Sequence, residues 1–272
     1  MTLCIAAVSV RDSTIVTVSD MMLSTDTMSM DTFSVKTGPI GSSGRWMVLF
    51  AGDPTSFRSV ADNADRRIRA GTESADEVVD AFVAAFQLAI QRKIEDELLS
   101  PYGFDRDRFF REGRAAFGDE EFTRVLYQIN ATKLDTDFLV AGFGLDKRPR
   151  IFSISDPGVY SDHTNLGFHA IGTGSLRACG ALFSTYAADL RNIDLAYRLC
   201  EAKFLGESAL GVGEKTLIAL HVIDGVKLVY PEQLVPVREA WKRHGKTPIP
   251  EEACTAILMG LRSVSRKMPE DA

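Results

Sequence analysis

A nearly continuous apolar strand at the start of the chain constrains the fold more than any other feature. Leu3 to Val10 is almost wholly apolar, Arg11 to Ser13 forms a polar turn, and Thr14 to Ser19 is rich in β-branched residues. This pattern predicts a β-hairpin. Because the first strand has no polar face, we expect it to be buried on both sides, inside a layered structure.

Blocks of strands and helices alternate along the rest of the chain. The other predicted strands are Trp46 to Ala51, Asp137 to Phe143, Arg150 to Ser155, Gly167 to Ile171, Leu217 to Ile223 and Val226 to Tyr230. A capping box at Ser74 to Glu77 opens a helix whose apolar residues recur every four positions. Two more helices are predicted, one after Gly174 and one from about Asn192. Hairpins with segregated helices favour an α+β fold over a βαβ series.

The 272 residues contain no linker or internal repeat that would split them, so we predict a single domain over 1–272. A polar and aromatic stretch, about 100–133, reads as an inserted surface segment with one or two short helices. A charged helical extension is predicted over about 231–272.

Composition and charge exclude several classes of function. Lys and Arg number 31 against 37 Asp and Glu, a formal charge of −6, which disfavours a nucleic-acid partner. No apolar run approaches the roughly 20 residues of a membrane span. The four cysteines are far apart and lie among apolar neighbours, as expected of reduced structural thiols in a cytoplasmic protein. They are Cys4, Cys179, Cys200 and Cys254.

Metal and cofactor motifs are absent from the sequence. The histidines have no metal-binding spacing, and neither a metal nor a cofactor is expected. Gly172-Thr173-Gly174 follows a strand and precedes a helix, but Arg177 stands where a dinucleotide-binding turn needs a small residue. The glycines then serve a tight turn, or the amides at the helix start bind developing negative charge.

The amino terminus offers a nucleophile. Thr2 follows Met1 directly, and Met before a residue as small as Thr is ordinarily removable. Its loss would leave Thr2 with a free α-amine, whose ordinary pKa is about 7.7–8.0. Such an amine can act as the base for the hydroxyl of the same residue.

With these residues in place, the chain resembles the proteasome β-type family of N-terminal nucleophile (Ntn) hydrolases. The resemblance is carried by Thr2 at the head of a strand, Asp20 at the end of the hairpin, Lys36, and Ala51-Gly52 at the end of a strand. It extends to Phe138 to Gly142, Asp156-Pro157-Gly158 and Ala170 to Ser175, and covers roughly Thr2 to Tyr230 outside the inserted segment. It implies a four-layer α-β-β-α sandwich of two antiparallel sheets with helices on both outer faces.

The resemblance also implies roles for individual residues. Thr2 Oγ1 would attack an acyl carbon while its amine shuttles the proton. Lys36 would supply a fixed positive charge, and Asp20 would pair with Lys36 and orient it. The Gly52 amide would stabilise the oxyanion.

A turn and a later motif complete the implied site. Thr173 or Ser175 matches a serine that helps to hold the amine, and Thr173 is the closer match. The sequence departs from the family pattern at Met22, where a basic residue is common, and around Glu207 and Ser208, where the late Asp-x-x-Ser-Gly-Gly is not reproduced. Glu207 and Ser208 could substitute there, although a surface position is the commoner role for such a Glu.

We therefore expect a threonine-type hydrolase that cleaves peptide or amide bonds through an acyl-enzyme on Thr2, conditional on removal of Met1. One alternative is a non-catalytic, proteasome-like ring-forming or binding subunit. Another is an Ntn acylase or transpeptidase. The resemblance also implies a homo-oligomer, a ring or a spiral, and leaves an ATPase partner open.

Overall fold

The structure is a computed structural model and describes residues 2–24, 29–31, 36–69 and 73–245. Met1, residues 33–35, Cys254 and the extension after residue 245 lie outside these residues. Within them the strands are β1 (Cys4–Ser9), β2 (Thr14–Asp20), β3 (Met22–Ser24), β4 (Ser29–Asp31), β5 (Thr37–Ile40), β6 (Trp46–Gly52), β7 (Thr136–Phe143), β8 (Pro149–Ser155), β9 (Val159–Asp162), β10 (Phe168–Ile171), β11 (Thr216–Val222) and β12 (Gly225–Val229).

Seven α-helices occur in the same described residues. They are α1 (Pro54–Arg67), α2 (Ala75–Ile94), α3 (Arg106–Phe117), α4 (Asp119–Ala131), α5 (Ser175–Thr185), α6 (Asn192–Gly206) and α7 (Val235–His244). The three predicted helices are α2, α5 and α6, which begin where the sequence placed them, and the long predicted strands are confirmed to within a residue or two at their ends.

The strands form two five-stranded antiparallel sheets. The first has the order β10-β1-β2-β11-β12, and the second has the order β5-β6-β7-β8-β9. The predicted hairpin is β1–β2, in which Cys4 pairs with Ser19 and Ser9 pairs with Thr14. β3 and β4 form a separate two-stranded pair.

Three apolar cores join four layers. Successive side chains of a strand point to opposite faces, so Ile5 on β1 packs among residues of α5 and α6, while Cys4 and Ala6 pack between the sheets. In the second sheet, Val48 packs against α1 and α2, and Leu49 faces the first sheet. Burial of β1 on both faces, as predicted, follows from its position between a helical layer and a second sheet. The fold is the α-β-β-α sandwich expected of an Ntn-type protein.

The predicted inserted segment extends the α1–α2 layer. α2 begins at Ser74, whose Oγ accepts a hydrogen bond from the Glu77 amide at 3.2 Å. The helix runs on through a π-helical turn, Glu95–Leu99, beyond which α3 and α4 fold back on it. A core of its own closes this segment, formed by Ile94, Leu99, Phe109, Phe122, Val125 and Ile129.

Candidate active site

The β1–β2 hairpin brings Thr2 and Asp20 together. Thr2 lies two residues before β1, and Asp20 ends the antiparallel partner strand β2. Because Cys4 pairs with Ser19, the register places Leu3 opposite Asp20 and Thr2 next to it. The Asp20 amide donates to Leu3 O at 3.0 Å. Thr2 and Asp20 are both buried. The hairpin register therefore accounts for their proximity.

Within the residues that the structure describes, the Asp20 carboxylate accepts five hydrogen bonds. Oδ1 accepts from Thr2 Oγ1 at 3.1 Å, Leu3 N at 2.9 Å and Lys36 Nζ at 2.9 Å. Oδ2 accepts from Met22 N at 3.2 Å and Gly213 N at 3.1 Å. A buried charge is tolerated only when it is paired and hydrogen-bonded. This number of donors fixes the carboxylate, and with it the Thr2 hydroxyl.

Lys36 reaches Asp20 from the other sheet. It lies directly before β5, and its carbonyl accepts from the Phe50 amide of β6 at 3.2 Å. Its side chain is 2% exposed and forms an ion pair with Asp20. The candidate site therefore lies at the end of the space between the two sheets. There the Lys36 ammonium and the Thr2 hydroxyl bind the same carboxylate oxygen.

The turn after β10 packs against the backbone of Thr2. Gly172 has φ +92°, and a Cβ at this position would lie 2.3 Å from Thr2 O, so only glycine fits. The Thr173 hydroxyl lies 3.3 Å from Thr2 O and 3.2 Å from Leu210 O. It touches the carbonyl of the proposed nucleophile. Ser175 is the first residue of α5, and its amide donates to Gly172 O at 3.0 Å.

Gly52 ends β6 close to the same turn. The neighbouring Ala51 Cβ lies 3.2 Å from the point that a Cβ on Gly172 would occupy. Gly52 itself has φ +106°, and a Cβ there would lie 1.9 Å from Asp135 O. This position requires glycine for steric reasons, and it leaves Gly52 exposed at the rim of the site.

Glu207 and Ser208 bind residues other than Thr2. Glu207 forms an ion pair with Lys203 and receives two hydrogen bonds from Arg238, at 2.7 and 2.6 Å. Ser208 Oγ contacts Arg177 and donates to the carbonyl of Leu205 at 2.7 Å. Glu207 is partly buried, and its carboxylate is bound by Lys203 and Arg238.

A second buried lysine was missed by sequence reasoning. Lys203 is fully buried, and its Nζ donates to Gly213 O at 2.7 Å, to Glu214 O at 2.8 Å and to Glu207. Burial lowers the pKa of Lys203, and Glu207 opposes that shift. The signal was present in the sequence, since Lys203 follows Leu199 by four residues on the apolar face of α6.

Cys4 lies beside the site but is not a competing nucleophile. Its thiol donates to Phe50 O at 3.3 Å, and burial raises the pKa of the Cys4 thiol more strongly than Lys36 lowers it. The thiol is therefore neutral at physiological pH, whereas nucleophilic attack requires a thiolate. Cys179 and Cys200 are also free thiols.

Among the described residues, no three His, Cys, Asp or Glu side chains are grouped so as to hold a metal ion. In the same part of the chain, no helix is long and apolar enough to span a bilayer.

Comparison with known proteins gives a fold and no family assignment. No protein-family model matches the chain, and no curated protein matches it. A mutant of Anbu from Hyphomicrobium sp. strain MC1 superposes with a TM-score of 0.63 at 14% identity, over 97% of this chain and 100% of that one. Anbu (ancestral beta-subunit) from Yersinia bercovieri gives a TM-score of 0.65 at 13% identity, with the same coverage. At such identity the likeness establishes the shared sandwich fold.

Proposed function

We propose that this protein is an Ntn-type hydrolase that cleaves peptide or other amide bonds through an acyl-enzyme on Thr2, once Met1 has been removed. One observation carries the proposal: the Thr2 hydroxyl and the Lys36 ammonium both bind Oδ1 of the buried Asp20. The proposed nucleophile and a cation thus bind the same oxygen of one orienting carboxylate. The reduced thiols fit a cytoplasmic location.

The proposed reaction uses the amine of Thr2 as its base. With Met1 gone, the amine accepts the hydroxyl proton while Oγ1 attacks the carbonyl carbon of the substrate. The Lys36 charge favours the oxyanion-like nucleophile, and the Gly52 amide donates to the carbonyl oxygen as it becomes negative. The C–N bond breaks as the amine returns the proton to the leaving nitrogen. Water then hydrolyses the ester on Thr2 and regenerates the hydroxyl.

A cleft beside Lys36 suits an apolar substrate side chain. It lies between β5, β6 and α1, and Phe50, whose amide binds the Lys36 carbonyl, stands in its wall. Phe57 stacks on Phe50 with ring centroids 3.8 Å apart. Asp62 and Asp65 line the outer part of the cleft. We propose an apolar residue on the acyl side of the scissile bond.

The test is covalent labelling with a peptide epoxyketone, which requires both the hydroxyl and the free amine of an N-terminal threonine. We expect one adduct per chain, located on Thr2 by tandem mass spectrometry. Thr2→Ala should fold, because Asp20 keeps the donors Leu3 N, Met22 N, Lys36 Nζ and Gly213 N, and it should take up no label. Thr2→Ser, which keeps a hydroxyl, serves as the matched control. Undiminished labelling of Thr2→Ala would sink the proposal.

A ring-forming or binding subunit without this chemistry is the second candidate, and exposed apolar side chains favour self-association. Leu176 and Phe183 on α5 are 85% and 69% exposed, and Leu210 nearby is 80% exposed. Size-exclusion chromatography with light scattering should therefore give a multimer, and a monomer at all concentrations would contradict this. If Thr2 is labelled, profiling with peptide and small amide substrates separates a peptidase from an acylase or transpeptidase.

A further inference from the structure

The loop between α6 and β11, residues 208–214, contacts the candidate active site through two of its backbone groups. Its Gly213 amide donates to Asp20 Oδ2 at 3.1 Å. Its Leu210 carbonyl shares the Thr173 hydroxyl with Thr2. A displacement of this loop would therefore reach Asp20 and the Thr2 backbone together.

Two cationic side chains, those of Lys203 and Arg238, bind the backbone of this loop. Lys203 donates to the Gly213 and Glu214 carbonyls. Arg238, on α7, donates through Nη2 to the Glu214 carbonyl at 2.6 Å. Both cations also bind the Glu207 carboxylate. Every one of these contacts holds backbone of the loop or the end of α6 from which the loop departs.

Arg238 is held in place more firmly than a surface arginine. It binds both Glu207 oxygens, and its guanidinium lies 4.2 Å from the centroid of the Phe204 ring. The side chain is 19% exposed. A two-point contact between guanidinium and carboxylate restricts orientation as well as distance. Because Arg238 comes from α7, this helix is coupled to Asp20 through the loop.

We propose that Arg238 is a positioning residue for the active site: it holds residues 208–214 so that the Gly213 amide stays on the Asp20 carboxylate that orients Thr2 and Lys36. The inference rests on the proposed function for its catalytic consequence. The structural coupling from α7 to Asp20 does not require turnover and can be measured separately.

The kinetic test compares two arginines of the same helix. Arg238→Met removes the contacts with the loop, whereas Arg243→Met removes an exposed side chain whose guanidinium binds its own helix at Glu239 O. With the epoxyketone, we expect Arg238→Met to lower the limiting labelling rate by about 10- to 100-fold, the scale of a small misplacement of reacting groups. The concentration for half-maximal rate should not change, since the loop does not line the proposed substrate cleft. Arg238→Lys should recover part of the rate, and Arg243→Met should equal the wild type.

The structural test is hydrogen exchange at the Gly213 amide, at a temperature where circular dichroism shows every variant folded. Arg238→Met should exchange faster there, and Arg243→Met should not. Unchanged exchange in Arg238→Met overturns the inference whatever the kinetics. Faster exchange with a wild-type labelling rate also overturns it, because the loop then moves without consequence. A wild-type protein that takes no label refutes the proposed function instead, and the exchange result still decides whether α7 is coupled to Asp20.

Discussion

Two buried lysines with carboxylate partners lie on either side of the loop at residues 208–214. Lys36 pairs with Asp20, whose same oxygen accepts the Thr2 hydroxyl. Lys203 pairs with Glu207, and its other acceptors are two backbone carbonyls. Burial and ion pairing therefore do not distinguish Lys36, for which we propose a chemical role, from Lys203, for which we propose a supporting one. The acceptors distinguish them. Lys36 shares Asp20 Oδ1 with the Thr2 hydroxyl, whereas Lys203 binds two backbone carbonyls of the loop.

Replacement of Lys36 has the largest expected effect, on the rate at which Thr2 is labelled. Lys36→Met should lower the labelling rate of Thr2 by about 10²–10³-fold, the scale of losing one electrostatic group from an acyl-transfer site. Because Lys36→Met leaves the buried Asp20 carboxylate without its cation, exchange at Gly213 is compared at a temperature where circular dichroism shows the variant folded. There it should stay as in the wild type, because Lys36 binds Oδ1 and Gly213 binds Oδ2 of Asp20. Labelling at the wild-type rate would remove Lys36 from the proposed mechanism.

Replacement of Lys203 should act on stability first. Lys203→Met leaves the Gly213 and Glu214 carbonyls without this donor, and we expect the free energy of unfolding to fall by about 1–3 kcal/mol. Urea denaturation measures this loss, and exchange at Gly213 should accelerate. The labelling rate should fall less than in Lys36→Met. If the two variants lose labelling equally while Gly213 exchange stays slow in both, the division of roles between the two lysines is wrong.

The smallest expected effect is a pH dependence of the free energy of unfolding, and it arises at His169, away from both lysines. Burial first, and His163 second, lower the pKa of His169 to about 4. The two imidazole rings stack with centroids 3.5 Å apart. Because the unfolded chain takes up this proton near pH 6.5 and the folded chain does not, the associated stability is present above about pH 6.5 and is lost as the pH falls towards 4.

His169→Phe keeps an aromatic ring and removes the titration. Between pH 7 and pH 5.5 the wild type should lose about 1 kcal/mol more of its unfolding free energy than the variant does. Urea denaturation at the two pH values gives the comparison. Equal losses in both proteins would show that the buried imidazole does not titrate as described.

The sequence was informative wherever one strand or one helix decides a position. The apolar run of β1 predicted its two-sided burial, and the hairpin alone brings Asp20 to Thr2. The short strands β3, β4, β5 and β9 were missed, because three or four residues carry too little periodicity to read.

Contacts between distant segments could not be read in the same way. Arg238 lies 31 positions after Glu207, and nothing in the intervening sequence marks them as partners. The sequence therefore left Glu207 open between an active-site substitute and a surface residue, and it gave no sign of the partners Lys203 and Arg238. The Gly213 amide, a backbone group without a side-chain signal, became visible only when the loop was placed against Asp20.

The central claim is that Thr2 becomes a free N-terminal nucleophile. The most direct measurement is the intact mass of the protein purified from its natural host, before and after incubation with the epoxyketone. We expect a mass that lacks Met1 and a single adduct on Thr2 after treatment. A protein that retains Met1, or that lacks it and still gains no adduct on Thr2, would show that Thr2 is not such a nucleophile.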